Sequence, residues 1–332
     1  MKRLIYFLLA ACAAFAADGY QVKQKIKIGG SGVWGYLTMD ESARRLYIAN
    51  ESRAVVVDVD SGKVVGEIPD TPGIHGIAVA PALGKGFTSN GKGNNVTIFD
   101  LKTLKPLGEA RTGKDPDTIL FESKTGRVFS FNNASFDVTA IDANTGDVVG
   151  TTKLGGKPTG AVTDGSGKIW FSLQTTTEDW SVVSELGMLD AASLKVAQQN
   201  PTAPCDAPMG LAMDVKNRRL FAACGNKQMA VIDADSGSVI GSVPTGAGSA
   251  GAGFDPNSGV AFAANGGEGT LTVITESGGK YEAAQKVQTA RGARTMAVDP
   301  KTGNVYLPAV EYESTPAAPV VPDSFMLLVV GK

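Results

Sequence analysis

Side chains that could bind a ligand or react occur at the same position of a repeated sequence unit, shortly before a run of apolar residues. They comprise an indole, the single imidazole of the chain, a carboxylate, a hydroxyl and a guanidinium: Trp34, His75, Asp117, Thr159 and Arg294. Residues that served only a repeated scaffold would resemble one another, and these differ. The pattern therefore predicts that each copy of a repeat contributes a different group to one ligand-binding pocket.

The elements that must position these residues are the strands of a repeated unit. Its clearest copy is 45–50, 54–58 and 61–65, and its third strands end at steps of 42, 42, 48, 43 and 42 residues: Asp58, Asp100, Asp142, Asp190, Asp233 and Thr275. A period of this length, with four short strands and turns rich in Gly, Asn, Asp and Ser, is typical of a β-propeller blade. Seven copies are present, so we predict an all-β, seven-bladed β-propeller. The recurring Asp is interpreted as structural, binding the turn that follows it.

The seventh copy stops at its third strand, 325–330, and lacks an outer strand. Residues 20–28 alternate apolar and polar side chains, as an exposed strand does, and have no partner before them. An unpaired sheet edge exposes backbone hydrogen-bonding groups that can pair with another strand. We therefore predict that this N-terminal strand closes the last blade. The chain then consists of a signal peptide, 1–16, and a single propeller domain, 17–332.

In this topology, the start of each innermost strand and the end of each second strand lie on the same side of the ring, called the top. Several second strands end in Asn, and most of these are explained by turn chemistry because Asn tolerates positive φ; Asn132 is retained as a ligand-binding candidate. The residues at the strand starts, called the mouth residues, have structural alternatives too. His75 and Trp34 could pack, Asp117 could cap a turn, and Arg294 could pair with a carboxylate between blades.

A second hypothesis makes the protein a lactonase-like or metal-assisted hydrolase. Asp117, Asn132 and His75 would then supply ligands to a divalent cation in the central funnel. The sequence contains no Gly-x-Ser-x-Gly, no His-Glu-x-x-His and no phosphate-binding Gly loop before a helix. No catalytic residue and no cofactor is therefore predicted, and a binding module is the favoured function.

Two segments lengthen the repeat on the top side, 174–185 in the fourth blade and 311–322 in the seventh. Long loops on a rigid scaffold often carry function. Trp180 and Tyr312 are therefore candidates for ligand or partner contacts, and surface decoration is the alternative.

Two cysteines remain once a signal peptide is removed, Cys205 and Cys224. Both are expected on the top of the fifth blade. An even pair in an oxidising compartment predicts a disulfide; a free or metal-binding pair is the alternative.

The N-terminus has the pattern of an export signal. Lys2 and Arg3 precede an apolar run, and Ala14-Phe15-Ala16 fits a cleavage site. We predict a periplasmic or secreted protein without a transmembrane segment. Leu9-Ala10-Ala11-Cys12 also fits a lipobox, so a lipoprotein anchored through Cys12 is the alternative.

The net charge of −2 disfavours nucleic acid as a partner, because proteins that hold phosphate backbones are usually basic. The pairs Arg44-Arg45 and Arg218-Arg219 are interpreted as solvated turns. The predicted partner is a small molecule, a peptide or a protein on the top face, and we expect a monomer.

The repeat resembles a known family in residues 46–50 (Leu-Tyr-Ile-Ala-Asn), 55–58 (Val-Val-Val-Asp) and 62–65 (Gly-Lys-Val-Val). It is similar to the YVTN-type repeats of secreted bacterial propellers, the YncE-like family. The resemblance implies a propeller that serves as a binding platform, and related rings include lactonases and metal-dependent hydrolases. The Gly-His and Trp-Asp signatures of eukaryotic WD repeats are missing, so the scaffold role of that family is not carried over.

Overall fold

Seven four-stranded sheets make up the structure, a computed structural model that describes residues 19–30, 34–177, 182–314 and 319–332. Within these residues, the one helical segment is the short 3-10 turn Pro81–Leu83. All paired strands are antiparallel, and six of the sheets contain four strands that are consecutive in the chain. The predicted seven-bladed β-propeller is confirmed.

Each blade has an innermost strand at the ring axis, then a second, a third and an outer strand. The innermost strands are β2 (Trp34–Asp40), β6 (Ile74–Ala80), β10 (Pro116–Glu122), β14 (Lys157–Thr163), β18 (Pro208–Asp214), β22 (Ser249–Asp255) and β26 (Ala297–Asp299). The second strands are β3 (Arg45–Asn50), β7 (Lys85–Asn90), β11 (Arg127–Asn132), β15 (Lys168–Thr176), β19 (Arg219–Cys224), β23 (Val260–Asn265) and β27 (Asn304–Ala309). The third strands are β4 (Arg53–Asp58), β8 (Asn95–Asp100), β12 (Asp137–Asp142), β16 (Val182–Asp190), β20 (Gln228–Asp233), β24 (Thr270–Ser277) and β28 (Met326–Gly331). The outer strands are β5 (Lys63–Ile68), β9 (Pro106–Arg111), β13 (Val148–Lys153), β17 (Lys195–Pro201), β21 (Val239–Pro244), β25 (Lys280–Gln288) and β1 (Gln21–Lys27).

The hydrophobic core lies between neighbouring blades. Second and third strands are buried along nearly their whole length, as in residues 46–49 and 54–57 of the first blade. An outer strand such as β5 leaves most of its side chains exposed. A strand covered on both faces needs a continuous apolar run. This requirement explains why the central strands of the repeat are so apolar.

The N-terminal strand closes the ring. β1 pairs with β28, with Ile26 opposite Leu327, and completes the sheet β1-β28-β27-β26. The predicted closure by residues 20–28 is confirmed. The seventh blade therefore contains segments from both ends of the described chain.

A buried ion pair also joins the seventh blade to the first. The guanidinium of Arg44 donates to both carboxylate oxygens of Asp299, at 2.8 and 2.7 Å, and the Asp299 side chain is fully buried. Burial alone would raise the pKa of Asp299, but hydrogen bonds from Arg44 and Thr302 outweigh it and lower that pKa. Arg218 similarly pairs with Asp164, at 3.0 Å, between the fifth and fourth blades. The interpretation as solvated turns is wrong for Arg44 and Arg218, because each also pairs with a carboxylate of a neighbouring blade, in addition to Asp60 or Asp235 of its own blade.

The Asp that ends a third strand binds the turn after it, as predicted. Oδ1 of Asp58 accepts hydrogen bonds from the hydroxyl and the amide of Ser61, at 2.6 and 2.7 Å, and Asp190 does the same with Ser193. These bonds stabilise the ionised carboxylate and lower the pKa of both Asp residues.

One of the two lengthened segments is largely strand. The sequence predicts a loop at 174–185, but β15 and β16 continue into it as a hairpin, with Gln174 opposite Ser184 and Thr176 opposite Val182. Its Thr and Val residues favour strand pairing. In the described part of the seventh-blade segment, an antiparallel bridge joins Tyr312 to Val320.

Candidate functional site

The mouth residues lie next to a recurring β-bulge. In six blades, the register between the innermost and second strands shifts at the start of the innermost strand, for example between Ile74 and Gly76 and between Pro116 and Ile119. A bulge bends the strand and re-aims a side chain. His75 and Asp117, which lie within these shifts, are therefore released from the regular alternation of their strands.

The strand register of the first blade corrects the position of one predicted mouth residue, Trp34. Trp34 pairs with Asn50 as Ile74 pairs with Asn90, so Trp34 corresponds to Ile74. The first-blade counterpart of His75 is Gly35. The sequence prediction of Trp34 is one residue out of register, because Trp34 precedes Gly35 just as His75 precedes Gly76.

The position after each mouth residue is small in most blades, and its occupants are Tyr36, Gly76, Thr118, Gly160, Gly210, Gly251 and Thr295. A Cβ at Gly251 would lie 2.7 Å from the carbonyl oxygen of Arg294 in the next blade. Where the position is Thr, its hydroxyl donates to the next blade instead, as Thr295 does to the oxygen of Gly35 at 2.8 Å. Adjacent innermost strands thus meet backbone to backbone, and the mouth residues form one ring around the axis.

Tyr36 is the exception at this position, and its side chain crosses the channel. Its hydroxyl donates to the main-chain oxygen of Thr159 at 3.1 Å, although Tyr36 belongs to the first blade and Thr159 to the fourth. Burial raises the pKa of Tyr36, and the negative charge of Asp117 adds to the rise. A cavity of about 170 Å³ at this level is lined by residues of all seven blades, including Tyr36, Thr38 and Thr118.

Asp117 is the carboxylate of the mouth. Its Oδ2 accepts a hydrogen bond from the side-chain amide of Asn133 at 2.6 Å, and no other described side chain donates to it. Burial raises the pKa of Asp117, while the charge of His75 and the bond from Asn133 oppose the rise. The charges of Lys157 and Asp115 also act on it. Asp117 is therefore a partly buried carboxylate without a direct cationic partner among the described side chains.

His75 lies beside this carboxylate and is open to solvent. Its side chain is 40% exposed, and its Nε2 lies 3.7 Å from Oδ1 of Asp115. A Cβ at Gly91 would come within 2.8 Å of the imidazole and 2.7 Å of Asp115. The absence of a side chain at residue 91 keeps the imidazole in place and accessible.

Arg294 and Tyr312 approach the mouth from the seventh blade. Arg294 is exposed, and its positive charge acts on the hydroxyl groups of both Tyr36 and Tyr312. Burial raises the pKa of Tyr312, and its hydroxyl lies 2.8 Å from where a Cβ at Gly292 would be. The predicted candidate Trp180 lies outside the described residues.

Two predicted ligand residues are engaged inside the scaffold. Thr159 is buried, and its hydroxyl donates to the carbonyl oxygen of Pro208 at 2.5 Å. Asn132 is fully buried, and its amide donates to Asp137 and Thr139 at 2.8 and 3.0 Å. We correct both assignments: the Thr159 side chain links blades, and Asn132 fixes the hairpin that follows its strand. Its neighbour Asn133 is the residue that reaches Asp117.

Cys205 and Cys224 form the predicted disulfide, with an S–S distance of 2.04 Å and a Cα–Cα distance of 5.3 Å. Both residues are buried in the fifth blade. The bridge ties the segment before β18 to the end of β19.

Within the described part of the chain, no three His, Cys, Asp or Glu residues are grouped so as to hold a metal ion. In the same residues, no helix is long and apolar enough to cross a membrane. The hydrolase hypothesis, in which Asp117, Asn132 and His75 hold a cation, thus gains no support from the geometry.

Sequence reasoning missed three residues of the site: Tyr36, Asp115 and Asn133. Tyr36 could be found by aligning the blades on the last residue of their innermost strands. In the strand registers, Asp40 of the first blade corresponds to Asp214 of the fifth and Asp255 of the sixth. That alignment places Tyr36 where other blades have Gly or Thr.

No family model and no curated protein matches the chain. Among solved structures, it is similar to a chain of the Kuenenia stuttgartiensis hydrazine synthase, with 16% identity, 85% of this chain and 94% of that chain covered, and a TM-score of 0.73. It is also similar to a chain of the mitotic checkpoint complex, with 15% identity, 98% of both chains covered and a TM-score of 0.71. At these identities the likeness shows the propeller fold and no particular function.

Proposed function

We propose that the protein is an extracytoplasmic binding module whose ligand site is the top opening of the ring. The observation that carries this proposal is the environment of Asp117. Asp117 is a partly buried carboxylate whose one direct hydrogen-bond donor among the described side chains is Asn133, whereas charges withdrawn from water are normally paired. A ligand that donates hydrogen bonds or carries a positive charge supplies the missing partner.

The groups around Asp117 define the rest of the site. His75 offers an exposed imidazole on one side, and Arg294 and Tyr312 offer a guanidinium and a phenol from the seventh blade. Tyr36 forms the floor, because its side chain crosses the channel to Thr159. A ring opening at which a few polar and charged groups converge suits a small polar molecule or the end of a peptide.

The proposed compartment rests on the buried disulfide and on the predicted signal peptide, residues 1–16, which lie outside the described residues. Disulfides persist in oxidising compartments. The resemblance to YncE-like repeats remains a prediction, and a binding platform is what that resemblance implies.

Thermal unfolding with a panel of amines, amino acids, carboxylic acids and short peptides tests this function. A ligand that binds the native state raises the Tm. We expect one class to stabilise the wild type and the exposed-site control Asp147→Asn, and to lose its effect on Asp117→Asn. A class that stabilises all three proteins equally would place the site elsewhere, and a panel without any stabilising member would count against a ligand of these classes.

A further inference from the structure

A groove leads from the mouth to the outer rim between the first and second blades. Its inner part, of about 470 Å³, is lined by His75, Ile74, Pro72 and Lys92, among others. Its outer part, of about 540 Å³, is lined by Asp70, Glu67 and Glu109. Ser52 and Pro72 line both parts, so the two cavities form one continuous depression.

The groove changes character along its length. The inner part is mainly apolar, with Pro72 and Ile74 beside the imidazole of His75. In the outer part, the carboxylates outnumber the single cation, Arg53. Arg53 donates to Glu67 at 2.9 Å, and Asn95 donates to Glu109 at 2.7 Å.

The charge in the outer groove is therefore unbalanced. Pairing Arg53 with Glu67 leaves the negative charges of Asp70 and Glu109, because the amide of Asn95 adds no charge. Clustered charge of one sign attracts a partner of the opposite sign and fixes its orientation. A long groove that starts at a binding pocket suits an extended chain better than a compact molecule.

We propose that this groove seats an extended peptide segment of a partner protein, with an apolar side chain against Pro72 and Ile74 and basic side chains beside Asp70 and Glu109. The proposal rests on the proposed function, since the groove opens into the mouth at His75. It adds a partner class: a basic, extended peptide. The peptide runs outward between the blades and ends at the mouth.

Fluorescence polarisation with labelled, end-blocked peptides tests the proposal. One probe alternates Lys with Leu and Ala; its counterpart carries Glu in place of Lys. The groove variant is Asp70→Asn with Glu109→Gln, and the charge-matched control is Asp147→Asn with Glu282→Gln on other blades. Exposed ion pairs contribute only weakly to binding. We therefore expect the groove variant to bind the Lys probe about threefold to tenfold more weakly, and the control to bind it as the wild type does.

The outcomes separate the groove from the mouth. Glu109→Lys should shift preference from the Lys probe to the Glu probe, and added salt should weaken the wild-type complex. If the Lys probe binds the groove variant and the wild type equally but loses affinity for Asp117→Asn, the groove proposal is overturned and the mouth stands. If the wild type binds neither probe, or binds both alike, the groove proposal is also overturned. The thermal-unfolding panel of small molecules then tests, independently of the groove, whether the mouth is a ligand site.

Discussion

The hydroxyl of Tyr36 donates to the main-chain oxygen of Thr159 across the ring, at 3.1 Å. The two residues belong to the first and fourth blades, so the bond links strands that do not pair with each other. The same oxygen also accepts a hydrogen bond from Thr118, at 3.2 Å. Together they tie three blades at the floor of the mouth.

Removing these two hydroxyls should cost more together than apart. Tyr36→Phe or Thr118→Val alone should each lower the free energy of unfolding by about 1 kcal/mol, since one donor to Thr159 remains. The double variant should lose more than the sum, because the buried oxygen then lacks both side-chain donors. Urea unfolding measures all four proteins, and strictly additive losses would show that the two bonds are not coupled.

The ion pair between Arg44 and Asp299 should stabilise the closed ring. Arg44→Met leaves the fully buried carboxylate of Asp299 without its cation, and such losses cost roughly 3–5 kcal/mol. Arg53→Met is the matched control, because its pair with Glu67 is exposed and should contribute at most about 1 kcal/mol. Adding Asp299→Asn to Arg44→Met should recover part of the loss. Equal effects of the two single variants in denaturant unfolding would contradict this account.

The disulfide should stabilise the fifth blade. Its loop spans 19 residues, for which loop-closure entropy predicts about 3 kcal/mol. Replacing Cys205 and Cys224 by Ala should lower the free energy of unfolding by that order. A chain that begins at residue 17 and is produced in an oxidising compartment should show no free thiol on denaturation without reductant. Detection of two free thiols would rule the bridge out.

As the pH is lowered, ligand binding at the mouth should weaken at a higher pH than it would if an ordinary, exposed carboxylate bound the ligand. Burial raises the pKa of Asp117 above the usual value of about 3.9. A ligand that pairs with the ionised carboxylate therefore loses affinity as the pH falls through that raised pKa, and keeps it above. His75, Asp115, Lys157 and Tyr36 are the other titratable groups nearby, so His75→Gln should accompany the titration as a control. An acid profile that survives in Asp117→Asn would assign the effect to another group.

The fold could be predicted from the sequence because each blade repeats the same physical demands. Third-strand Asp residues such as Asp58 recur with the turn they bind, and the apolar central strands recur with the neighbours that cover them. Because the last copy of the repeat lacks an outer strand, residues 20–28 could be assigned to that vacant position in the seventh blade. Arg44 was misread because its partner Asp299 lies 255 positions further along the chain.

The site could be predicted only in part. His75, Asp117 and Arg294 stand out because the repeat does not explain them, and the structure brings all three to the ring opening. Trp34 is misplaced because it precedes Gly35 as His75 precedes Gly76, whereas the bulge register aligns it with Ile74. Tyr36 emerges when the blades are aligned on the Asp at the end of the innermost strand instead of on its start. Asn132 and Thr159 are buried, so their side chains bond within the scaffold. The sequence does not reveal this burial, because it depends on neighbouring blades and not on the local residue pattern.

The single histidine allows a direct test of the mouth as the binding site. With no other imidazole in the chain, a labelled His75 gives one side-chain NMR signal, located beside Asp115 and Asp117. The protein should carry no histidine tag, and the titrant is the panel compound that raises the Tm most. We predict that the imidazole signal shifts with the same concentration dependence as the Tm, and that Asp117→Asn abolishes the shift. A compound that stabilises the protein while the imidazole signal stays unmoved would contradict a ligand site at the top of the ring.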